Sequence, residues 1–236
     1  VTFVGLIRHN VAARKLRAAL TAFAVAIGVM AVLALGVLTT SLETTATQIL
    51  EIGKADFSVA QKNQDLLNSN IQQNDVAAMA KLPGVAQIVG ALIETDRYDK
   101  NHPAVIEVGL DPSAQGPFGV VLLSGRSYSP HSPDEIMLGY TLASAIHKKV
   151  GDTLHMSGKT RKVVGIYRTN VSFGDSTMMF PLSELQAENQ LTGQVTLGFV
   201  KIKPGYSKTA VADDIDKHFI QYKAIKSLTD FGRNDR

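Results

Sequence analysis

The chain has 236 residues, room for one ordinary domain or two small ones beside a hydrophobic segment, and its 45% apolar content marks a folded protein rather than a disordered one. A formal net charge of +3 comes from dispersed basic residues without a basic stripe or interleaved aromatics, so nucleic-acid binding has no support. The absence of cysteine excludes a disulfide framework, a thiolate metal site and a cysteine nucleophile, and is compatible with the outer side of a bacterial membrane.

Residues 1–17 carry Arg8, Arg14, Lys15 and Arg17 without an acid. Phe3, Val4, Ile7 and Val11 gather near one side, as in a basic amphipathic helix on the membrane surface; a plain basic flank would account for the same residues. From Ala18 to Leu42 about 25 residues follow with no charge, where about 20 suffice to cross a bilayer core. The run is apolar all round and lacks the polar stripe of a buried core helix. It also exceeds the roughly 7–15 apolar residues of a cleaved signal, and no convincing A-x-A site follows.

Four basic residues without an acid before the span, against Glu43, Glu51, Lys54 and Asp56 after it, place the N-terminus in the cytoplasm by the positive-inside rule. Residues 43–236 are then expected outside the cell or in the periplasm. Ala18, Ala22 and Ala26, and separately Ala24 and Gly28, recur at four-residue spacing, which suits either a close helix partner or lipid-facing filler.

Beyond the span, ETTATQILEI extends the helix as a stalk that Gly53 ends. ADFSVAQ alternates as a strand, QKNQDLLNSNIQQ reads as a loop, and Asn74 is placed to cap a helix DVAAMAKL that the Pro83-Gly84 turn breaks. VAQIVGALIETDRY is one long strand or two pieces of one, and AVIEVGL is another. Near the C-terminus the order returns: strand VTLGFVKIK, turn Pro204-Gly205, helix KTAVADDIDKHF capped by Ser207, strand YKAIKSL.

The fold class is therefore α+β, an N-terminal transmembrane helix followed by two β-α-β units that bracket an inserted β-rich subdomain at about 111–191. Within the insert, LDPSAQGPFG is a turn-rich linker and LLSGRSYSPHSPDE, rich in Gly, Ser and Pro, reads as a loop. Strand EIMLG leads into helix YTLASAIHKK, and KVGDTLHMSGKTRKVVGIY is a hairpin turning at Ser157-Gly158. TMMF is a short strand, and Pro181 opens the helix LSELQAEN.

No chemistry-bearing constellation emerges from the residues, so no catalytic, cofactor-binding or metal-binding residue is assigned. His9, His102, His131, His147, His155 and His218 show neither H-E-x-x-H nor paired i, i+4 spacing and are read as solvated. Asp213, Asp214 and Asp216 lie on a helix rather than a calcium loop, and are expected on its solvated face. Ser124 to Ser129, S-G-R-S-Y-S, lacks the nucleophile elbow G-x-S-x-G and is read as turn. Ser172 to Ser176, SFGDS, suits an ordinary turn or a contact loop. Without GxxxxGK[ST] or GxGxxG the chain offers neither a P-loop nor a dinucleotide site.

The order DEIMLGYTLAS, KVGDTLHMSGKTRKVVGIYRT, SFGDSTMMFPLSEL and VKIKPGYSKTAVADDI, together with RHNVAARKLRAALTAFAVAIGV at the start, resembles MacB/FtsX-type ABC transporter permeases. The later segments are similar to their periplasmic core domain and the first to their membrane-entering helix. The resemblance implies a non-enzymatic permease subunit that works as a dimer, with a second copy or homologue, alongside a cytoplasmic ATPase and membrane lipids and without a cofactor. Coupling would run through the stalk from Glu43 to Ile52. It also implies three further membrane helices after the domain, whereas this sequence stops at Arg236, as a fragment or a shortened member would. A tethered module that recruits an extracellular partner, such as a wall-remodelling enzyme, is the alternative reading.

Overall fold

The computed structural model describes residues 15–99, 104–227 and 230. The basic segment up to Arg14, with His9, and also His102 lie outside the described residues. The contacts divide the chain at Thr45 into an N-terminal helical unit and a compact domain that starts at Ala46.

Helix α1 runs unbroken from Lys15 to Glu51 and is long and apolar enough to cross a membrane. Every described side chain from Lys15 to Ser41 is exposed, including Phe23, Leu33 and Val37. The hydroxyls of Thr21, Thr39, Thr40 and Thr44 each donate to the carbonyl four residues earlier, at 2.8–3.0 Å. Such bonds satisfy a hydroxyl where no water can.

The domain is built on a ten-stranded sheet. One end is formed by β1 (Phe57–Gln61), helix α2 (Gln73–Met79), β3 (Val85–Asp96), β11 (Leu197–Ile202), helix α6 (Lys208–His218) and β12 (Tyr222–Ile225). Their lateral order is β12-β1-β11-β3 with every pair antiparallel, the arrangement of a split β-α-β-β-α-β unit. The chain leaves this unit between β3 and β11. The excursion supplies β4 (Val105–Leu110), β5 (Val121–Gly125), β6 (Glu135–Gly139), helix α3 (Tyr140–Ala145), β7 (Thr153–Met156), β8 (Lys159–Arg168), helix α4 (Ser172–Asp175), β9 (Thr177–Pro181) and helix α5 (Leu182–Glu188).

β3 is a single twelve-residue strand that serves both ends: Val85 to Ala91 pairs with β11, and Leu92 to Asp96 pairs with β4. From β4 the sheet continues β9-β6-β8-β5, with β7 folded back on β8. A separate two-stranded ladder joins β2 (Ile71–Gln72) to β10 (Gln194–Val195).

Both faces of the central strands are covered, as their near-continuous apolar runs require. In β9 all five residues are buried: Met178 and Phe180 enter a cluster with residues of α2, α3, α5 and α6, and Met179 enters a second cluster with Ile49, Ile52, Phe118 and Phe173. Period-two alternation thus feeds two cores, one under the helices and one under the end of α1 and the loops.

Several local expectations shift. LLSGRSYSPHSPDE contains strand β5, which pairs with β8 through a bulge between Leu122 and Ser124; its five residues are all exposed, so no burial pattern announced it. α2 begins at Gln73 with Gln72 in the capping position and no side-chain cap, which displaces Asn74 into the helix. The loop before it contains β2 and a 3-10 turn at Leu66–Asn68. Pro181 ends β9 and precedes the first helical residue of α5. The hairpin turns at Ser157 (φ 48°) and Gly158 (φ 76°), both left-handed as a two-residue turn demands, and Ser207 caps α6.

One strand pair is electrostatically unfavourable. Glu94 of β3 stands directly opposite Glu107 of β4, and Glu107 is only 7% exposed. Burial pushes the Glu107 carboxyl up to about 7, with Asp96, Glu188 and Glu94 adding to the effect and Arg161 opposing it. The native state therefore holds this proton more tightly than the unfolded chain, and stability is expected to fall as pH rises from about 4.5 to about 7, by roughly 3 kcal/mol. Chemical unfolding of the detergent-solubilised chain across this range should show that slope, and Glu107→Gln should flatten it and stabilise the chain at pH 8.

Candidate functional site

The chemistry that distinguishes this domain lies where α1 ends. An α-helix leaves its last carbonyls without partners, and its C-terminus carries partial negative charge. Here the excursion supplies the partners. The Asn170 side chain, from the loop between β8 and α4, donates through Nδ2 to the Glu51 carbonyl at 2.9 Å and accepts through Oδ1 from the Gly53 amide at 3.0 Å. One turn earlier, Gln48 Oε1 accepts from the Phe173 amide at 2.7 Å. Ile49 and Ile52, 4% and 1% exposed, are buried in the same apolar cluster as Phe118, Val171 and Phe173.

The loop that grips the helix is itself fixed. Asp175 accepts from the Thr169 amide and hydroxyl, and the Thr169 hydroxyl donates to the Val171 carbonyl at 2.8 Å. Gly174 packs so closely on Thr169 that a Cβ would lie 2.4 Å from its hydroxyl. The other side of the junction depends on glycine as well: Gly53 adopts φ 64°, and a Cβ there would meet the Pro117 carbonyl oxygen at 2.5 Å. The chain then goes straight into the sheet, the Asp56 amide donating to the Val200 carbonyl and the Asp56 carboxylate accepting from the Ile202 amide, both at 2.8 Å. An open groove of about 540 Å³ borders Gly53 and is lined by Lys54, Arg168 and Lys201 together with Asp175.

The SFGDS segment therefore contains a short helical turn, with Phe173 and Gly174 buried, whose backbone contacts the stalk. His131, His147, His155 and His218 are exposed. Asp213, Asp214 and Asp216 are not simply solvated: Asp213 lies 3.7 Å from Lys226, Asp214 lies 3.2 Å from His218, and Asp216 binds Lys223 and the Ala224 amide, tying α6 to β12. Within Ser124 to Ser129, Arg126 pairs with Glu135 and holds its carboxyl down to about 2, and Ser127 donates to Gln115. Among the described residues no three acids or histidines converge to hold a metal.

The family model for the MacB-like periplasmic core domain matches residues 18–218, and the chain belongs to that family. The periplasmic region of MacB from Actinobacillus actinomycetemcomitans superposes with a TM-score of 0.58 at 13% identity, covering 78% of this chain and 94% of that one. The extracellular domain of the noncanonic ABC-type transporter YknZ from Gram-positive bacteria gives a TM-score of 0.55 at 14% identity, covering 72% and 98%. These likenesses establish a shared fold. A search of the curated proteins found no match.

The two Asn170 bonds and the Gly53 conformation can be tested separately. Asn170→Ala is expected to destabilise the domain by about 1–2 kcal/mol, the net worth of two hydrogen bonds, one part-buried at the Gly53 amide and one exposed at the Glu51 carbonyl. Gly53→Ala is expected to cost more, because a left-handed alanine must also displace a backbone carbonyl. Thermal unfolding of both variants in the same detergent gives the comparison; equal, near-zero effects would mean that the junction is not gripped.

Proposed function

We propose that this chain is the permease-type subunit, or the N-terminal part of one, of an ABC transporter of the MacB/FtsX type. In this reading the N-terminus lies in the cytoplasm, α1 crosses the membrane, and the domain stands on the outer face. The chain catalyses no reaction itself. A cytoplasmic ATPase supplies the energy, and α1 carries its motion to the outer domain for export or extraction of a substrate.

The observation that supports this most directly is the junction. A helix of membrane-spanning length ends where the Asn170 side chain holds the Glu51 carbonyl and the Gly53 amide and where the Phe173 backbone amide donates to the Gln48 side chain, so a shift of its end is transmitted to the loop and the sheet rather than absorbed by a flexible linker. Packed elements pass on rigid-body displacement because close-packed interiors resist continuous deformation. One helix cannot enclose a path across the bilayer, so a second copy or homologue, and further spans, belong to the working assembly.

Co-purification in detergent with a candidate ABC ATPase from the same organism, followed by measurement of ATP turnover, tests this. The chain should associate and change the turnover rate. Asn170→Ala should keep the association but reduce that change several-fold. Absence of association would instead favour a tethered module that recruits an extracellular partner.

A further inference from the structure

A second polar site lies at the opposite end of β8. This strand runs from Lys159 to Arg168, so its start stands about 30 Å from the helix junction. There, the end of β3, β4, the β7–β8 turn and the C-terminal end of α5 enclose a cleft of about 190 Å³. Its charged lining is Asp96, Glu107, Arg161 and Glu188, with Ser157 and Asn189 beside them.

Among the described residues the charges in the cleft do not balance. Arg161, 2% exposed, is fully engaged at its fork: one arm donates to the Pro133 carbonyl and the other to both oxygens of Glu188 at 2.5 Å, with the guanidinium 5.2 Å from the centre of the Phe180 ring. Lys159 adds a bond to Glu188 at 2.9 Å. Glu188 is thereby neutralised. Among the described residues Asp96 has only neutral donors, the Ser157 hydroxyl and the Arg97 amide. Glu107 accepts no hydrogen bond from any described residue although it is more than nine-tenths buried, and Glu94 faces it from the neighbouring strand. The Arg161 Nε–H is also buried without an acceptor.

A buried carboxylate without a partner is costly, and the proteins that keep one pair it with a cation or a proton. Water could fill the volume, at about 30 Å³ per molecule, but brings no positive charge, so with water alone Glu107 is compensated only by the proton it loses above about pH 7. A divalent metal ion does not suit the site, since among the described residues no three acids or histidines converge, and such ions collect six or more oxygens at short range. We propose that this cleft binds an alkylammonium group, with Glu107 as the ion-pairing carboxylate and Asp96 reinforcing the field. The site is independent of the helix junction and of the transport reading.

The titratable groups around Glu107 are Glu94 and Asp96 on β3, Glu188 on α5 and Arg161 on β8, and together with burial they place its titration near pH 7. Binding therefore strengthens above that pH and weakens about ten-fold per unit below it. The test is calorimetric titration of the full chain in detergent at pH 8 with 1,4-diaminobutane and, separately, with Nα-acetyl-lysine amide. Saturable one-to-one binding of either, lost at least ten-fold in Glu107→Gln and unchanged in Glu184→Gln, is the expected result. Diaminobutane alone points to a free amine, and binding of the lysine derivative points to a lysine side chain of a polypeptide. If neither binds, if Glu107→Gln binds as well as the parent, or if calcium binds where the amines do not, the proposal is overturned.

Discussion

The domain depends on one physical constraint: the C-terminus of a 37-residue helix has carbonyls to satisfy and an apolar face to bury. Asn170 meets the first requirement with a single planar amide that bonds the last helical carbonyl and the amide two residues beyond it. Ile49 and Ile52 meet the second by entering the core. Because Gly53 then turns the chain with a left-handed φ, the backbone reaches β1 within a few residues, and Asp56 fixes it to β11 at once. No slack separates the helix from the sheet.

That economy explains the architecture around it. A split β-α-β-β-α-β unit closes its sheet without help, yet one of its faces lacks helices. The excursion between β3 and β11 extends the sheet through β4 and β9 and returns the loop after β8 to the helix end, where Phe118 and Phe173 join Ile49 and Ile52 in one apolar cluster. β3 passes through both halves as a single strand, so the element that holds the helix and the element that carries α2 and α6 share one backbone. β8 joins the junction at one end to an acidic cleft at the other, which places two chemically different sites on the two ends of one rigid strand.

Much of this was legible from sequence because it depends on local physics. The uncharged run after Arg17, the alternation in ADFSVAQ and VTLGFVKIK, the Ser157-Gly158 turn and the Ser207 cap each announce themselves within one continuous stretch of sequence. β5 did not, because an edge strand exposed at every position has no alternation to read, and its Gly- and Ser-rich flank imitates a loop. The junction was hidden for another reason. Asn170 and Glu51 are 119 positions apart, and an asparagine after a strand carries no mark of the carbonyl it meets. Likewise a glutamate in AVIEVGL reads as the solvent face of a strand until α5 and the β7–β8 turn close over it. Of the aspartates of α6, Asp213 stays on the exposed face as its helical position suggests, whereas Asp216 is half-buried because Lys223 and the Ala224 amide reach it only once β12 lies beside the helix.

The central claim is that the end of α1, from Ala46, is part of the compact domain rather than a tether to it. Amide hydrogen exchange of the full chain in detergent tests this most directly, read at the Gly53 and Phe173 amides, whose acceptors are the Asn170 and Gln48 side chains. Both should be protected to the level of central strand amides such as Val163, and Asn170→Ala should release Gly53 while leaving Val163 protected. Exchange at Gly53 and Phe173 in the unaltered chain as fast as at exposed loop amides, with the sheet still protected, would contradict the account.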